Sequence, residues 1–169
     1  MAGTFMNLVG PVVGTTVYAE GNLVGRDVAI TLPEVTPTTA DVQAMGTLSL
    51  PIWQLIENME LSITKIGVDM GLRAMITPKP ISLEIRWYHT VTDANGATKE
   101  VGCKAFIYGI ANKIPGYSVT PGEAGENECT FTLYNYRLVV DGVDYHNIGR
   151  FSGKLVIAGV DLSGGAQYL

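Results

Sequence analysis

The stretch Pro80-Ile81-Ser82-Leu83-Glu84-Ile85-Arg86-Trp87-Tyr88-His89-Thr90-Val91 decides how the rest of the chain is read. Ile81, Leu83, Ile85 and Trp87 fall on one parity, and Ser82, Glu84, Arg86 and Tyr88 on the other. Side chains alternate between the two faces of an extended backbone, so this pattern predicts a strand with one buried face and one wet face. Asp93-Ala94-Asn95-Gly96 follows at once. Asn-Gly tolerates the positive φ of tight hairpin turns, so the chain should fold back on itself here. The return segment, Thr98 to Ala111, alternates again through Val101, Cys103, Ala105 and Ile107.

Working outward, Glu128–Val140 alternates Cys129, Phe131 and Leu133 against Thr130, Thr132 and Tyr134, and Asp141-Gly142 turns it into Val143–Ile148. A further strand is predicted over Lys154–Val160. Towards the N-terminus, Arg26–Leu32 alternates through Val28, Ile30 and Leu32, and Met59–Ile66 through Met59, Leu61 and Ile63. Met45–Leu50 reads as a strand, Pro51–Asn58 as a turn or helical turn, and Thr36–Gly46 as a loop. Pro115 to Gly125 holds two Pro and three Gly, a connection rich in breakers. Only Val68–Met75 reads as helix, with Asp69 near its positive end and Pro78 and Pro80 beyond its stop. Antiparallel hairpins with one short helix predict a mainly β domain, a sandwich or partly open barrel. There is no internal repeat or linker, so the 169 residues form one domain.

Charged residues make up 16% of the chain and hydrophobic residues 47%. A charged fraction well below the roughly 25% of ordinary soluble domains is expected where subunits cover one another's surfaces, and composition alone fits an ordinary small β-protein rich in Thr, Gly and Val as well. The net charge is −5, from 11 basic and 16 acidic residues. The cations stand singly, as at Arg26, Lys65, Arg73, Lys79 and Lys113, so no patch is built to grip phosphate tightly. Cys103 and Cys129 lie on alternating strands without metal-ligand spacing, which fits core packing. Met1–Ala19 has no charged side chain but also no basic start, and Gly3, Gly10, Pro11 and Gly14 interrupt it. It is expected to be neither a signal peptide nor a membrane anchor.

Searches for reaction chemistry end without a constellation. His89 shares the parity of Ile85 and Trp87, His146 follows a hairpin, and neither has a ligand partner at helical or strand spacing. Asp141 and Asp144 flank a turn, where Asp is favoured for backbone reasons. Glu57 and Glu60 form no readable acid–base pair. Glu123, Glu126 and Glu128 read as a weak cation site or as a solvated loop. No phosphate-cradling glycine loop, dinucleotide fingerprint, zinc-protease helix or nucleophile elbow is present. No cofactor and no metal are expected, and no catalysis.

Three stretches resemble a known family. They are Val28-Ala29-Ile30-Thr31-Leu32-Pro33-Glu34-Val35, then Met59-Glu60-Leu61-Ser62-Ile63-Thr64 leading into an Asp-bearing helix, and then Tyr134-Asn135-Tyr136-Arg137-Leu138-Val139-Val140-Asp141-Gly142 with a terminal Gly159-Val160-Asp161-Leu162. Together they resemble the major tail tube protein of contractile-tailed phages and of related R-type tailocins, over about Arg26 to Leu162. The resemblance implies an N-terminal arm (1–25), a β core (26–162) and a C-terminal tail (163–169). It implies hexameric rings whose subunits share one large β-barrel around an open lumen, stacked into a tube inside a contractile sheath. A baseplate hub and a tail terminator would be further partners, and DNA would pass through without being held. A tailocin would instead use the tube to breach a membrane. The implied place is the virion tail, assembled in the host bacterial cytoplasm.

Under that resemblance Glu60, Ser62 and Thr64 are the candidates for the lumen lining. Pro37, Thr38, Thr39 and Met45, in the charge-poor loop, are the candidates for contact between rings, with a plain surface loop as the alternative, and Asp69 and Arg73 for facing the sheath, with core packing of their helix as the alternative. The competing reading is a carbohydrate- or protein-binding β-sandwich of a spike or adhesin. It calls for an exposed aromatic platform, and Trp53 and Trp87 are the only indoles. A small hydrolase would need a nucleophile–base pair that the sequence does not offer.

Overall fold

A computed structural model describes residues 7–169 of the chain; Met1–Met6, where the expected N-terminal arm begins, lie outside the described residues. The strand built on Ile81–Thr92, here β7, pairs along its whole length with β8 (Thr98–Lys113), with Asp93 Oδ1 accepting the N–H groups of Asn95 and Ala97 in the turn between them. β8 in turn pairs with β9 (Glu126–Val140). Ile81, Leu83, Ile85, Val101, Cys103, Ala105 and Ile107 are buried, as their parity predicts.

Around these three long strands the sheet runs in the order β12-β11-β10-β9-β8-β7-β1-β2. The outer members are β1 (Leu8–Ala19), β2 (Asn22–Arg26), β10 (Val143–Gly149), β11 (Lys154–Ile157) and β12 (Val160–Asp161). β9 is a fork. Its first half, from Glu126 to Thr132, pairs with β6 (Glu60–Ile66), which carries β3 (Ala29–Thr31) on its other edge. Its second half, from Asn135 to Val140, pairs with β10. The change of partner coincides with a bulge, where the β8 register slips between Tyr108 and Gly109. A Cβ on Gly109 would sit 2.5 Å from the Thr132 carbonyl oxygen, so the backbones approach this closely only because the residue is glycine.

The bend lets the sheet wrap a core of Val17, Met59, Leu61, Ile63, Ile85, Cys129, Phe131 and Leu133, all nearly or fully excluded from solvent. The sheet curls into a partly open barrel, one of the two architectures expected, with its seam between β2 and β3, which among the described residues do not pair with each other. α1 (Met70–Met75) stops that seam, burying Leu72 and Met75. Asp69 caps it by accepting the N–H of Leu72, so the helix starts two residues later than Val68. Cys103 and Cys129 are buried free thiols, and burial raises the pKa of both.

Three local expectations are corrected. Arg26–Leu32 is not one strand: Asp27 adopts φ 53° and separates β2 from β3. The segment expected as an arm, 1–25, contains β1 and most of β2, which belong to the sheet and contribute Val17, Ala19 and Val24 to the core. The third concerns the region 36–58, expected as loop, short strand and turn. It is a hairpin of β4 (Pro37–Gln43) and β5 (Thr47–Ile56), forming a sheet of its own. β5 runs straight through Pro51, which is opposite Thr39. Proline has no N–H to donate, so that pair occupies a non-hydrogen-bonded position of the ladder and the strand continues.

Candidate assembly surfaces

The β4–β5 hairpin projects from the barrel, and its residues make it two-faced. Register pairs Ala40 with Leu50, Val42 with Leu48 and Thr38 with Ile52, which puts these six side chains on one face. The opposite face carries Thr39, Asp41, Gln43, Thr47 and Ser49. It is tied by Ser49 Oγ donating to Asp41 Oδ1 (2.6 Å) and Gln43 Nε2 donating to Thr47 Oγ1 (3.4 Å). Asp41 is the one charge between Thr36 and Ile56. On the apolar face Val42, Leu48 and Leu50 keep 44%, 46% and 42% of their surface in solvent, outside the core cluster. An apolar stripe of this kind is characteristic of an interaction surface. At the base, the Arg150 guanidinium donates to the carbonyls of Ile56 and Glu57, which fixes the hairpin to the β10–β11 turn.

The sequence-predicted residues are distributed as follows. Pro37 is half-buried at the start of β4, Thr38 and Thr39 lie exposed on its two faces, and Met45 is fully exposed at the tip, with φ 51°. Glu60, Ser62 and Thr64 share the outer face of β6, opposite Thr132, Thr130 and Glu128 of β9. Ser62 Oγ donates to Glu128 Oε1 (2.9 Å), and Asn112 Nδ2 to Thr132 Oγ1 (2.9 Å), so this part of the sheet presents a polar surface with the carboxylates of Glu60 and Glu128 on it. Asp69 and Arg73 are both exposed around α1. Asp69 accepts from Lys65 Nζ (2.7 Å), whose ammonium also donates to the Val24 carbonyl. That hydrogen bond, aided by the Leu72 N–H, holds the Asp69 carboxyl below its ordinary pKa.

Two surfaces were not singled out from sequence. One is an apolar groove of ≈ 470 Å³ at the barrel seam, lined by Val12, Val28, Ile30, Leu32 and Trp87 among others. The other is a polar and aromatic hollow of ≈ 430 Å³ on the outer face of the long strands, with Tyr18, Glu84, Phe106, Tyr108, Asn135 and Arg137 on its walls. Arg86 stacks over Tyr18 and Arg137 over Phe106 there. Both were hidden because each draws on strands distant in sequence. Trp87 is half-buried at the groove, whereas Trp53 lies on the hairpin, so the two indoles make no common platform. Among the described residues no group of His, Cys, Asp and Glu is arranged to hold a metal ion, and no helix is long and apolar enough to cross a membrane.

Comparison with known proteins yields one family. The model of the family described as phage tail tube protein FII matches residues 12–166. No curated protein matches the chain. Among solved structures, a chain of the PVC sheath–tube complex of an extracellular contractile injection system in the extended state superposes with a TM-score of 0.53. The identity is 12%, over 79% of this chain and 91% of that one. A chain of the PVC sheath/tube terminator in the extended state gives a TM-score of 0.50 at 11% identity, over 77% of this chain and 94% of that one. At such identities the likeness is one of fold.

Proposed function

We infer, from the premise that this chain belongs to the phage tail tube protein FII family, that six copies close into a ring and that rings stack into the hollow inner tube of a contractile tail. The chain is a structural tube subunit. The observation that carries the assembly is the uncovered apolar face of the β4–β5 hairpin, which a lone molecule leaves in water. Rings close through heterologous contacts, and stacking them is open-ended, so each copy hides a large share of its surface. The scarcity of charge fits that arrangement.

Residues 1–169 work as one tube domain, with β1 and β2 joined to the 26–162 core and 163–169 as a C-terminal tail. Its subunits share a ring-wide barrel whose lumen is lined by Glu60, Ser62 and Thr64, beside Glu128. A wide barrel leaves a watery channel, and a polar lining whose charges are the carboxylates of Glu60 and Glu128 lets DNA slide by repulsion instead of gripping it. Pro37, Thr38, Thr39 and Met45 make contact between successive rings, and Asp69 and Arg73 face the sheath. The partners are further copies of the chain, the sheath, the terminator and the baseplate hub. The place is the tail of a virion or related particle, assembled in the host bacterial cytoplasm. The subunit catalyses nothing and carries no cofactor. A spike or adhesin module has no support from the family match.

Negative-stain microscopy of the concentrated protein tests this. Rings or hollow tubes are expected; isolated globules of monomer size under every assembly condition overturn the reading.

A further inference from the structure

Two apolar surfaces of this chain lack a cover among the described residues. The first is the hairpin face of Ala40, Val42, Leu48, Leu50 and Ile52. The second is the seam groove of Val12, Val28, Ile30, Leu32 and Trp87, continued at its rim by exposed Val9. Val9 is opposite Val91 and Val12 opposite His89, so the rim faces the same side of the sheet as the groove. Neither surface carries a charged side chain.

The hairpin of a given copy is not positioned to fill its own groove. Only five residues, 32–36, lead into it from β3, and three, 57–59, lead out to β6, while Arg150 clamps the exit. Among the described residues no segment of the same copy covers the groove, and a second copy of the chain supplies a fitting occupant. We propose that the apolar face of the β4–β5 hairpin of one copy packs into the seam groove of a second copy, in a head-to-tail contact that repeats from subunit to subunit. The proposal deepens the tube reading and rests on it.

Two features decide that the contact is made by a face and not by adding a strand. Among the described residues β1 leaves its outer edge unpaired from Leu8 to Gly14, since β2 begins to pair only at Thr16. Pro11 interrupts that edge, and two register shifts, between Val9 and Val12 and between Val12 and Gly14, bend it. Proline and bulges are the devices that spoil an edge for strand addition. On the donor, Pro51 removes an outward donor from the free edge of β5. Size decides whether an isolated pair is stable. One hairpin face of about seven residues by two strands covers about 250 Å² on each partner. An isolated pair then buries about 500 Å², short of the roughly 1,200 Å² of a specific complex. The contact holds when it is repeated round a closed ring, so no stable dimer is expected.

The test is a cross-link in the assembled full chain. Val12→Cys combined with Val42→Cys or Leu50→Cys, treated with a short bismaleimide, should give a ladder of covalent oligomers in tubes, and each single variant alone should give none. Tubes that form without a ladder from either combination overturn the docking and leave the tube reading standing. Failure of the unaltered chain to form rings or tubes overturns both. As a second readout, Leu48→Ser with Leu50→Ser should raise the concentration needed for assembly by at least about tenfold, since both leucines would lose their apolar burial in the contact. Its unfolding midpoint should stay that of the unaltered monomer. Assembly at the original concentration overturns the proposal.

Discussion

The Nζ of Lys65 lies 2.7 Å from Asp69 Oδ1 while donating a second hydrogen bond to the Val24 carbonyl, so a nearly buried ammonium joins β6, β2 and the cap of α1 across the barrel seam. Asp69 itself is more than half exposed. The pair is worth less as an ion pair than as a brace that satisfies a strand-edge carbonyl and orients a helix cap. Lys65→Met is expected to lower stability by about 1–3 kcal/mol, read from chemical denaturation, with the far-ultraviolet spectrum still that of a β protein. A change below about 0.3 kcal/mol would show that the seam needs no brace.

Acid should loosen the same place. Because the Lys65 hydrogen bond and the Leu72 N–H depress the Asp69 pKa in the folded state, its contribution is present above the unfolded value of 3.8. It disappears as the pH falls from there through the folded pKa. Asp69→Asn should flatten the stability profile below about pH 4, measured against the unaltered chain, and leave the profile near neutrality parallel. An unchanged acid slope would count against the cap.

At the alkaline end Tyr136 is the sensitive group. Burial pushes its pKa up to about 12, because the interior disfavours the phenolate. The folded protein then holds the phenol proton more tightly than the unfolded chain, whose value is 10.0. This stabilisation is complete below pH 10 and is lost as the pH rises towards 12, by roughly 2 kcal/mol. Tyr136→Phe should remove that part of the alkaline slope; a slope identical to the parent's would place the ionisation elsewhere.

Gly109 allows the bulge at which β9 changes partner. Gly109→Ala sets a methyl group 2.5 Å from the Thr132 carbonyl oxygen, with Leu133 also close, so neither neighbour yields without moving backbone. A loss of about 2–3 kcal/mol and a fall in assembled material are expected, whereas Gly102→Ala, where the added carbon meets nothing, should change stability by under about 1 kcal/mol. Thermal unfolding of the two variants side by side decides it.

If Glu60, Ser62 and Thr64 line the lumen, replacing all three with Lys should leave tubes intact under the microscope and slow the release of DNA from particles that carry them. Release at the normal rate would remove these residues from the lining.

Much of the fold was legible because alternation is a direct consequence of backbone geometry. Ile81–Trp87, Val101–Ile107 and Cys129–Leu133 each announced their buried face, and Asn95-Gly96 announced its turn. Reading failed where a strand departs from strict period two. β1 went unrecognised because Gly10, Pro11 and its register shifts break the alternation that a regular strand would show. β5 was cut short because Pro51 reads as a stop, whereas a proline at a non-hydrogen-bonded position costs the ladder nothing. The polar neighbours of Glu60 and Ser62 were out of reach for another reason. That Glu128 and Thr132 share their surface depends on the β6–β9 register, and nothing local in either strand encodes it. The seam groove joins Val12 to Leu32 and Trp87, residues that only the closed barrel brings together.

The fork in β9 has a mechanical consequence. Since one continuous strand is bonded to β6 along its first half, to β10 along its second and to β8 from Thr130 to Val140, force applied to either half of the subunit is passed to the other as shear across many backbone hydrogen bonds. A cylinder made of such stiff pieces transmits a thrust along its axis without buckling at the level of the single protein.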